Sequence, residues 1–444
     1  MKRWPILLLI AALLQACGGG GGSGDIPAET PPLAQSCSIP SQRQQLRDFM
    51  QAQYYWYREM PAPDGNAPTM DAYFQSMLYR PTDRFSYSEP TDLYNQVFTE
   101  GRRTGYGYTL VWTDATRMEL RVRNVEPLGP AARAGLARGD RVLAIDGYTP
   151  ADIAAGRLPI VTTPGVPRTF SLASAAGQPK QLTVVSEDFA LSPVAAVNTF
   201  ELPGPGGPAK IGYLAYNQFV TYSREQLQAA FAQFARDGAG EVILDLRYNG
   251  GGSVVVSREL ASLVGGALTV NQLYSYLRFN DQQAGRTQSL LFEAPEATAG
   301  TPLGQGLRRV FVIASGGTAS ASELLINGLK PFVEVVLIGE TTYGKPYGFV
   351  PFEMCGATYQ AVQFESLNSQ GVGGFTAGFQ PTCAVADDLE HQLGDPQEGR
   401  IAAALAYVAT GRCSAGTAAA LRAPKPAQEP RTIGEAWPRG MFVD

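Results

Sequence analysis

At 444 residues, with 45% hydrophobic and 17% charged side chains, the chain is too long for one ordinary core and too apolar to stay unfolded, so two or three compact domains are expected. Its 49 glycines and 32 prolines call for many turns between short elements. A net charge of −5 supplies no basic surface for nucleic acid, and no such partner is expected.

Lys2 and Arg3 precede the apolar run Ile6 to Leu14, which is too short to span a bilayer and has the layout of an export signal over residues 1–16. It ends in Leu14-Gln15-Ala16-Cys17, which resembles the lipobox of bacterial lipoproteins. That resemblance implies a lipid on Cys17 and a membrane partner through it. Gly18, where an aspartate would mark inner-membrane retention, points to the bacterial outer membrane, facing the periplasm. Residues 17–36 lack hydrophobic periodicity and read as a tether reaching about 25 Å. Four cysteines remain: Cys37, Cys355, Cys383 and Cys413. In an exported chain they suggest two disulfides with three pairings open. We expect Cys355 with Cys383, which flank one late β-rich segment, and Cys37 with Cys413, joining the two ends of the folded part. Their spacing suits no zinc site, and the one histidine, His391, cannot help build one; neither metal nor organic cofactor is expected.

Residues 37–100 form a small helical N-terminal region, with helical spacing of apolar residues from Ser41 to about Met60 and from Met70 to Leu78. Tyr54, Tyr55, Trp56 and Tyr57 read as packing rather than a ligand cage. Over residues 101–190 the runs "YTLVW", "MELRVRNV", "DRVLAIDG" and "KQLTVVS" are short strands. Pro130 to Leu136 followed by Gly139-Asp140-Arg141-Val142-Leu143-Ala144-Ile145-Asp146-Gly147 resembles a PDZ domain. The resemblance implies that Gly105-Tyr106-Gly107-Tyr108 offers backbone amides to a peptide carboxylate, with the next strand adding the peptide at its edge. From 191 to 413 strands and helices alternate, which argues for an α/β domain with a largely parallel sheet. Residues 414–444 are rich in Ala, Pro and Arg and read as a poorly ordered tail.

The chemistry concentrates in "FVIASGGTASASELLINGLKPFVEVVLIGETTYGKPYG", residues 311–348. If Ser320 opens a helix of about ten residues, the helix runs roughly 15 Å away. The strand from Val335 at about 3.3 Å per residue climbs back, which brings Lys345 beside Ser320. "RYNGGG", Arg247 to Gly252, follows another buried strand and ends on the same sheet edge, where α/β folds bind ligands. A serine hydroxyl needs a base, and a desolvated lysine near a helix start serves as one. The N–H of Ala321, with one from Gly251 or Gly252, would hold an oxyanion. His391 sits among acidic residues, and no G-x-S-x-G elbow occurs. Asp245 and Arg247 read as braces for the loop.

"LDLRYNGGG" (244–252), "GGTASASE" (316–323) and "GETTYGK" (339–345) resemble the C-terminal processing, or tail-specific, peptidases in order and spacing. The resemblance covers roughly residues 40–410. It implies a crotonase-like α/β peptidase core with a mixed, largely parallel sheet, Ser320 as nucleophile and Lys345 as general base. Substrates would be unfolded or tail-exposed polypeptides, with an adaptor protein as a further candidate partner. One departure stands out: the family glutamine four residues after the lysine is Phe349 here, which leaves Thr342, Tyr347 or Glu323 to position Lys345. A non-catalytic, PDZ-type peptide-binding lipoprotein scaffold is the alternative. A carrier of apolar small molecules is disfavoured by the intact serine and lysine.

Overall fold

A computed structural model describes residues 36–203, 208–414, 433–434 and 440–443. The export signal, Cys17 and the tether lie outside the described residues. The N-terminal region starts with the helix Ile39–Gln53, which has proline in its first turn, where no N–H partner is needed. It ends earlier than the apolar spacing suggests. Tyr54 turns extended (φ −63°, ψ 133°) and drops into the core, where its hydroxyl donates to Asp83 at 2.7 Å. The helix Met70–Ser76 packs beside it. Trp56 and Tyr55 lie against the ring of Tyr347, so the tyrosine-tryptophan run is packing, and its target is the segment just after Lys345.

The PDZ region is an antiparallel sheet in the order Tyr108–Trp112, Leu120–Val125, Arg141–Ile145, Pro167–Ala173 and Pro179–Val185. Leu120, Val122 and Asn124 face inward and their neighbours outward, the period-two pattern of a half-buried strand. On the free side of Tyr108–Trp112 lies one more short strand, Ile433–Gly434.

The α/β domain is a six-stranded sheet ordered Cys383–Ala384, Glu334–Gly339, Arg309–Ala314, Glu241–Asp245, Ala209–Tyr216 and Val194–Leu202. Every neighbouring pair is parallel except the last. Helices Arg224–Asp237, Val254–Gly265 and Ala321–Leu329 pack on one face and Gly399–Thr410 on the other. The helix Arg224–Asp237 ends at left-handed Gly238 (φ 78°), the usual glycine C-terminus. Gly212 lets it approach closely, since a Cβ there would sit 2.6 Å from the Phe234 ring.

Two expectations are corrected. The disulfides are Cys37–Cys355 and Cys383–Cys413, with Cα separations of 5.7 and 5.5 Å. Cys355 and Cys383 are close in sequence but belong to different sheets. Cys355 is the turn of the hairpin Phe352–Met354/Ala357–Gln360, whose outer neighbour Tyr87–Pro90 comes from the N-terminal region. Cys383 is on the edge of the parallel sheet, under the helix Gly399–Thr410. The second correction concerns the tail: its described residues, Ile433–Gly434 and Gly440–Phe442, are paired as strands.

Candidate active site

The buried strand Arg309–Ala314 leads into Ser315–Ala319, and the helix Ala321–Leu329 starts directly after Ser320. Of the three serines here, two are tied down. Ser315 Oγ donates to the Arg247 carbonyl, and Ser322 Oγ donates to the Asn249 carbonyl at 3.1 Å. The Asn249 carbonyl also takes the Ala319 N–H at 3.1 Å, so the loop 247–252 and the serine loop are laced together. Ser320 differs. It is 0% exposed, its backbone is at φ 59°, ψ −112°, and its hydroxyl has no hydrogen-bond partner among the described residues. A non-glycine residue in that region costs on the order of 1–3 kcal/mol, and such strain gathers at functional sites.

Glu323, one turn into the helix, joins the two halves of the site. Its buried carboxylate accepts the Ser320 N–H at 3.0 Å, the Thr342 hydroxyl at 2.5 Å, the Gly344 N–H at 2.6 Å and the Lys345 N–H at 2.7 Å. The Ser320 and Lys345 amides share one oxygen, Oε2, so their nitrogens are at most about 5.7 Å apart, the sum of those two hydrogen-bond lengths. The folding-back argued from helix and strand lengths is therefore correct, and a carboxylate pins it. Burial pushes the Glu323 carboxyl above its ordinary range, opposed by these hydrogen bonds.

Lys345 is 1% exposed. Its Nζ lies 3.8 Å from the centroid of the Phe349 ring and 6.0 Å from that of Phe85. The aromatic face of Phe349, where the resemblance expects a glutamine, thus meets the lysine nitrogen directly. Of the three positioning candidates, Glu323 holds the lysine backbone and Thr342 holds Glu323. Tyr347 packs instead on Tyr55, Trp56 and Phe85. Sequence reasoning missed Arg84, whose guanidinium donates to the carbonyls of Tyr343, Gly344 and Thr376 at 3.0–3.1 Å, so the N-terminal region clamps the lysine loop.

The glycine run serves its own loop first. Gly251 and Gly252 have φ of 116° and 127°, and a Cβ on Gly252 would lie 2.0 Å from the Phe219 carbonyl oxygen. The Gly251 N–H donates to Asn249 Oδ1 at 2.9 Å, so the loop itself uses that amide. Behind the loop, Arg247 is fully buried and binds Asp245 at 2.8 Å, Asp387 at 2.9 Å and Glu398 through both oxygens at 2.7 and 2.8 Å, the bracing role expected. Burial works against the Asp387 charge, but Arg138, Arg400 and Arg247 outweigh it and hold that carboxyl well below the usual range. Arg138 reaches across from the PDZ region to Asp387 at 2.8 Å and to the Tyr248 hydroxyl, one residue from Asn249. His391 pairs with Asp388 at 2.7 Å, and none of its described contacts involves Ser320 or Lys345.

In the PDZ region Tyr106 and Tyr108 turn their rings into the core, with Arg168 4.7 Å from the Tyr106 centroid. Gly107 adopts φ 80° and passes Gly129 so closely that a Cβ would be 3.1 Å from the Gly129 Cα. The backbone of Tyr108 then starts the edge strand.

Three family models match this chain: Peptidase family S41 over residues 210–385, the Peptidase S41 N-terminal domain over 41–87, and a PDZ domain over 121–154. The chain belongs to peptidase family S41. It is 28% identical over 318 residues to a carboxyl-terminal-processing protease of Synechocystis, covering 67% of this chain and 69% of that one. A chloroplastic C-terminal processing peptidase of Tetradesmus obliquus is 27% identical over 317 residues, covering 65% and 61%. A crystal structure of a putative S41 protease from Bacteroides fragilis superposes with a TM-score of 0.69 at 26% identity, covering 83% of this chain and 97% of that one. This S41 chain is accordingly a serine peptidase with a PDZ domain and a small N-terminal domain.

Proposed function

We propose that this S41 peptidase is an endopeptidase that works through a Ser320–Lys345 dyad on unfolded or tail-exposed polypeptides. The observation that carries the reading is the Glu323 carboxylate, which binds the amides of both residues beside a strained, buried serine hydroxyl without a partner among the described residues. Lys345 takes the Ser320 proton as Oγ attacks the scissile carbonyl. The N–H groups of Ala321 and Gly252 receive the oxyanion, since Gly251 donates within its own loop. Lys345 then gives its proton to the leaving amine, afterwards draws one from the water that attacks the acyl group, and hands it to Ser320 Oγ as the acyl–oxygen bond breaks. Substrate adds as an extended strand, and the edge Tyr108–Trp112 with Gly105–Tyr108 at its start receives the polypeptide end. The Arg138–Tyr248–Asp387 contacts are the path by which an occupied PDZ edge reaches the oxyanion loop.

The lipid anchor at Cys17 and residence at the outer membrane, facing the periplasm, belong to the same proposal. Support comes from the export signal and the Leu14–Cys17 pattern. Labelled palmitate incorporated by the parent and lost in Cys17→Ala would test it. The catalytic test is cleavage of an unfolded protein bearing an apolar carboxyl-terminal tail by the full chain, Ser320→Ala and Lys345→Ala. Cleavage by the parent alone supports the dyad; three silent proteins that still bind the tail would favour the scaffold.

A further inference from the structure

Both surfaces that an incoming polypeptide would use under the proposed function already carry a short strand, and both strands belong to the chain itself. Ile433 and Gly434 pair antiparallel with Leu110 and Thr109. They run along the edge strand toward Tyr108 and the Gly105–Gly107 stretch, the direction in which a peptide end approaches a carboxylate-binding loop. Six residues after Gly434, Gly440, Met441 and Phe442 pair in parallel with Gly251, Gly252 and Ser253.

The other side of that second strand is the lysine half of the site. The Phe349 N–H donates to the Met441 carbonyl at 2.8 Å, and the Val443 N–H donates to the Phe349 carbonyl at 3.2 Å. Phe349 is the residue whose ring lies 3.8 Å from Lys345 Nζ. Residues 440–443 therefore run between the oxyanion loop and the residue that faces the base. Their side chains alternate: Met441, 0% exposed, enters the main core that includes Val254 and Leu324. Phe442, 6% exposed, enters a pocket lined by Tyr94, Phe98, Phe189 and Val220. Ser320 and Lys345 themselves are 0% and 1% exposed, although a peptidase must admit a main chain to its nucleophile.

We propose that the segments 433–434 and 440–443 are a resident pseudosubstrate that holds the enzyme latent by filling the PDZ edge and the active-site cleft at once. This rests on the Ser320–Lys345 reading. The partner that relieves it is an extended polypeptide with two adjacent large apolar residues matching Met441 and Phe442. Such a chain competes first at the Tyr108–Trp112 edge, where the resident pairing is two residues long, and then along Gly251–Ser253. A ligand shifts the latent state only as far as it binds the open state better.

The experiment compares the full chain with a variant ending at Ser414, and with Ile433→Pro/Gly434→Pro, which removes ladder N–H groups at the PDZ edge without touching the protease core. Each is assayed with a short internally quenched peptide and with a serine-reactive phosphonate, and each also carries Ser320→Ala as its own control. Cleavage and Ser320 labelling at least tenfold faster in the shortened chain, severalfold faster in the proline variant, and suppressed again by a synthetic peptide of residues 428–444, are expected. If the shortened chain loses its folded melting transition, the proline variant and the peptide titration decide. Equal rates in parent and folded variants, all abolished by Ser320→Ala, would overturn latency and leave the dyad standing. No Ser320-dependent cleavage or labelling in any protein would overturn both.

Discussion

The two halves of the candidate site are built differently. The Ser320 half is local: a buried parallel strand, a short loop and a helix start, laced to the next loop through Asn249 and backed by fully buried Arg247. The Lys345 half is assembled from distant parts of the chain: Arg84 and Trp56 from the N-terminal region, Phe349 from beyond the loop, and Glu323 from the serine's helix. A single strained serine position is what a strand-loop-helix unit supplies. A lysine in a loop has no such frame and must be held by neighbours.

The largest expected effect removes either member: Ser320→Ala or Lys345→Ala lowers kcat/KM by at least about a thousandfold, measured on an unfolded tailed substrate. Glu323→Gln, which keeps the shape but spoils the shared acceptor, is expected to cost on the order of a hundredfold in kcat through misplacement of the pair. Its pH signature is specific. The folded-state carboxyl lies above the ordinary glutamate value, so its contribution to stability is fully present below the unfolded value and lost as pH rises through the raised one. Activity moves oppositely, because protonation weakens the acceptor for the Ser320 and Lys345 amides. An acid limb in kcat/KM above the ordinary glutamate range, absent in Glu323→Gln, is the measurement.

Smaller changes separate the halves. Arg84→Ala is expected to lower kcat about tenfold with little loss of melting temperature, because it frees only the lysine loop. Ser322→Ala is expected to cost about 1 kcal/mol of stability in denaturant unfolding, by removing one partner of the Asn249 carbonyl, and to leave kcat nearly intact. Cys37→Ser/Cys355→Ser cuts the tie between the N-terminal region and the hairpin after the lysine loop, so activity should fall along with roughly 2–5 kcal/mol of stability. Cys383→Ser/Cys413→Ser should cost stability with the smaller effect on activity. The smallest effect is at His391, which Asp388 holds protonated above its ordinary value. That pair's stabilisation is present below about pH 6.5 and fades as pH rises through the raised value, which melting of His391→Gln against pH would show.

How much was legible follows from the same contrast. The PDZ strands and the α/β alternation were readable because their apolar periods are local. The serine-to-lysine closure was readable because helix rise and strand rise nearly cancel over that unit. Arg84 carried no signal in its own neighbourhood; its partners are carbonyls some 260 residues away. The cysteine pairing failed because closeness in sequence says nothing about which sheet a β-segment joins. The tail was read by composition as a whole, and the apolar Gly440-Met441-Phe442-Val443 in its polar surroundings was the available clue.

By itself the sequence determined the alternation of elements and which residues meet at one sheet edge, because a serine at a helix start, a glycine loop and a lysine one helix and strand later carry their geometry in backbone rises and turns. Tertiary structure alone decided what holds Lys345, which cysteines meet and which strand pairs with Gly251–Ser253. Each of those is a contact between segments whose spacing along the chain is unrelated to their distance in space.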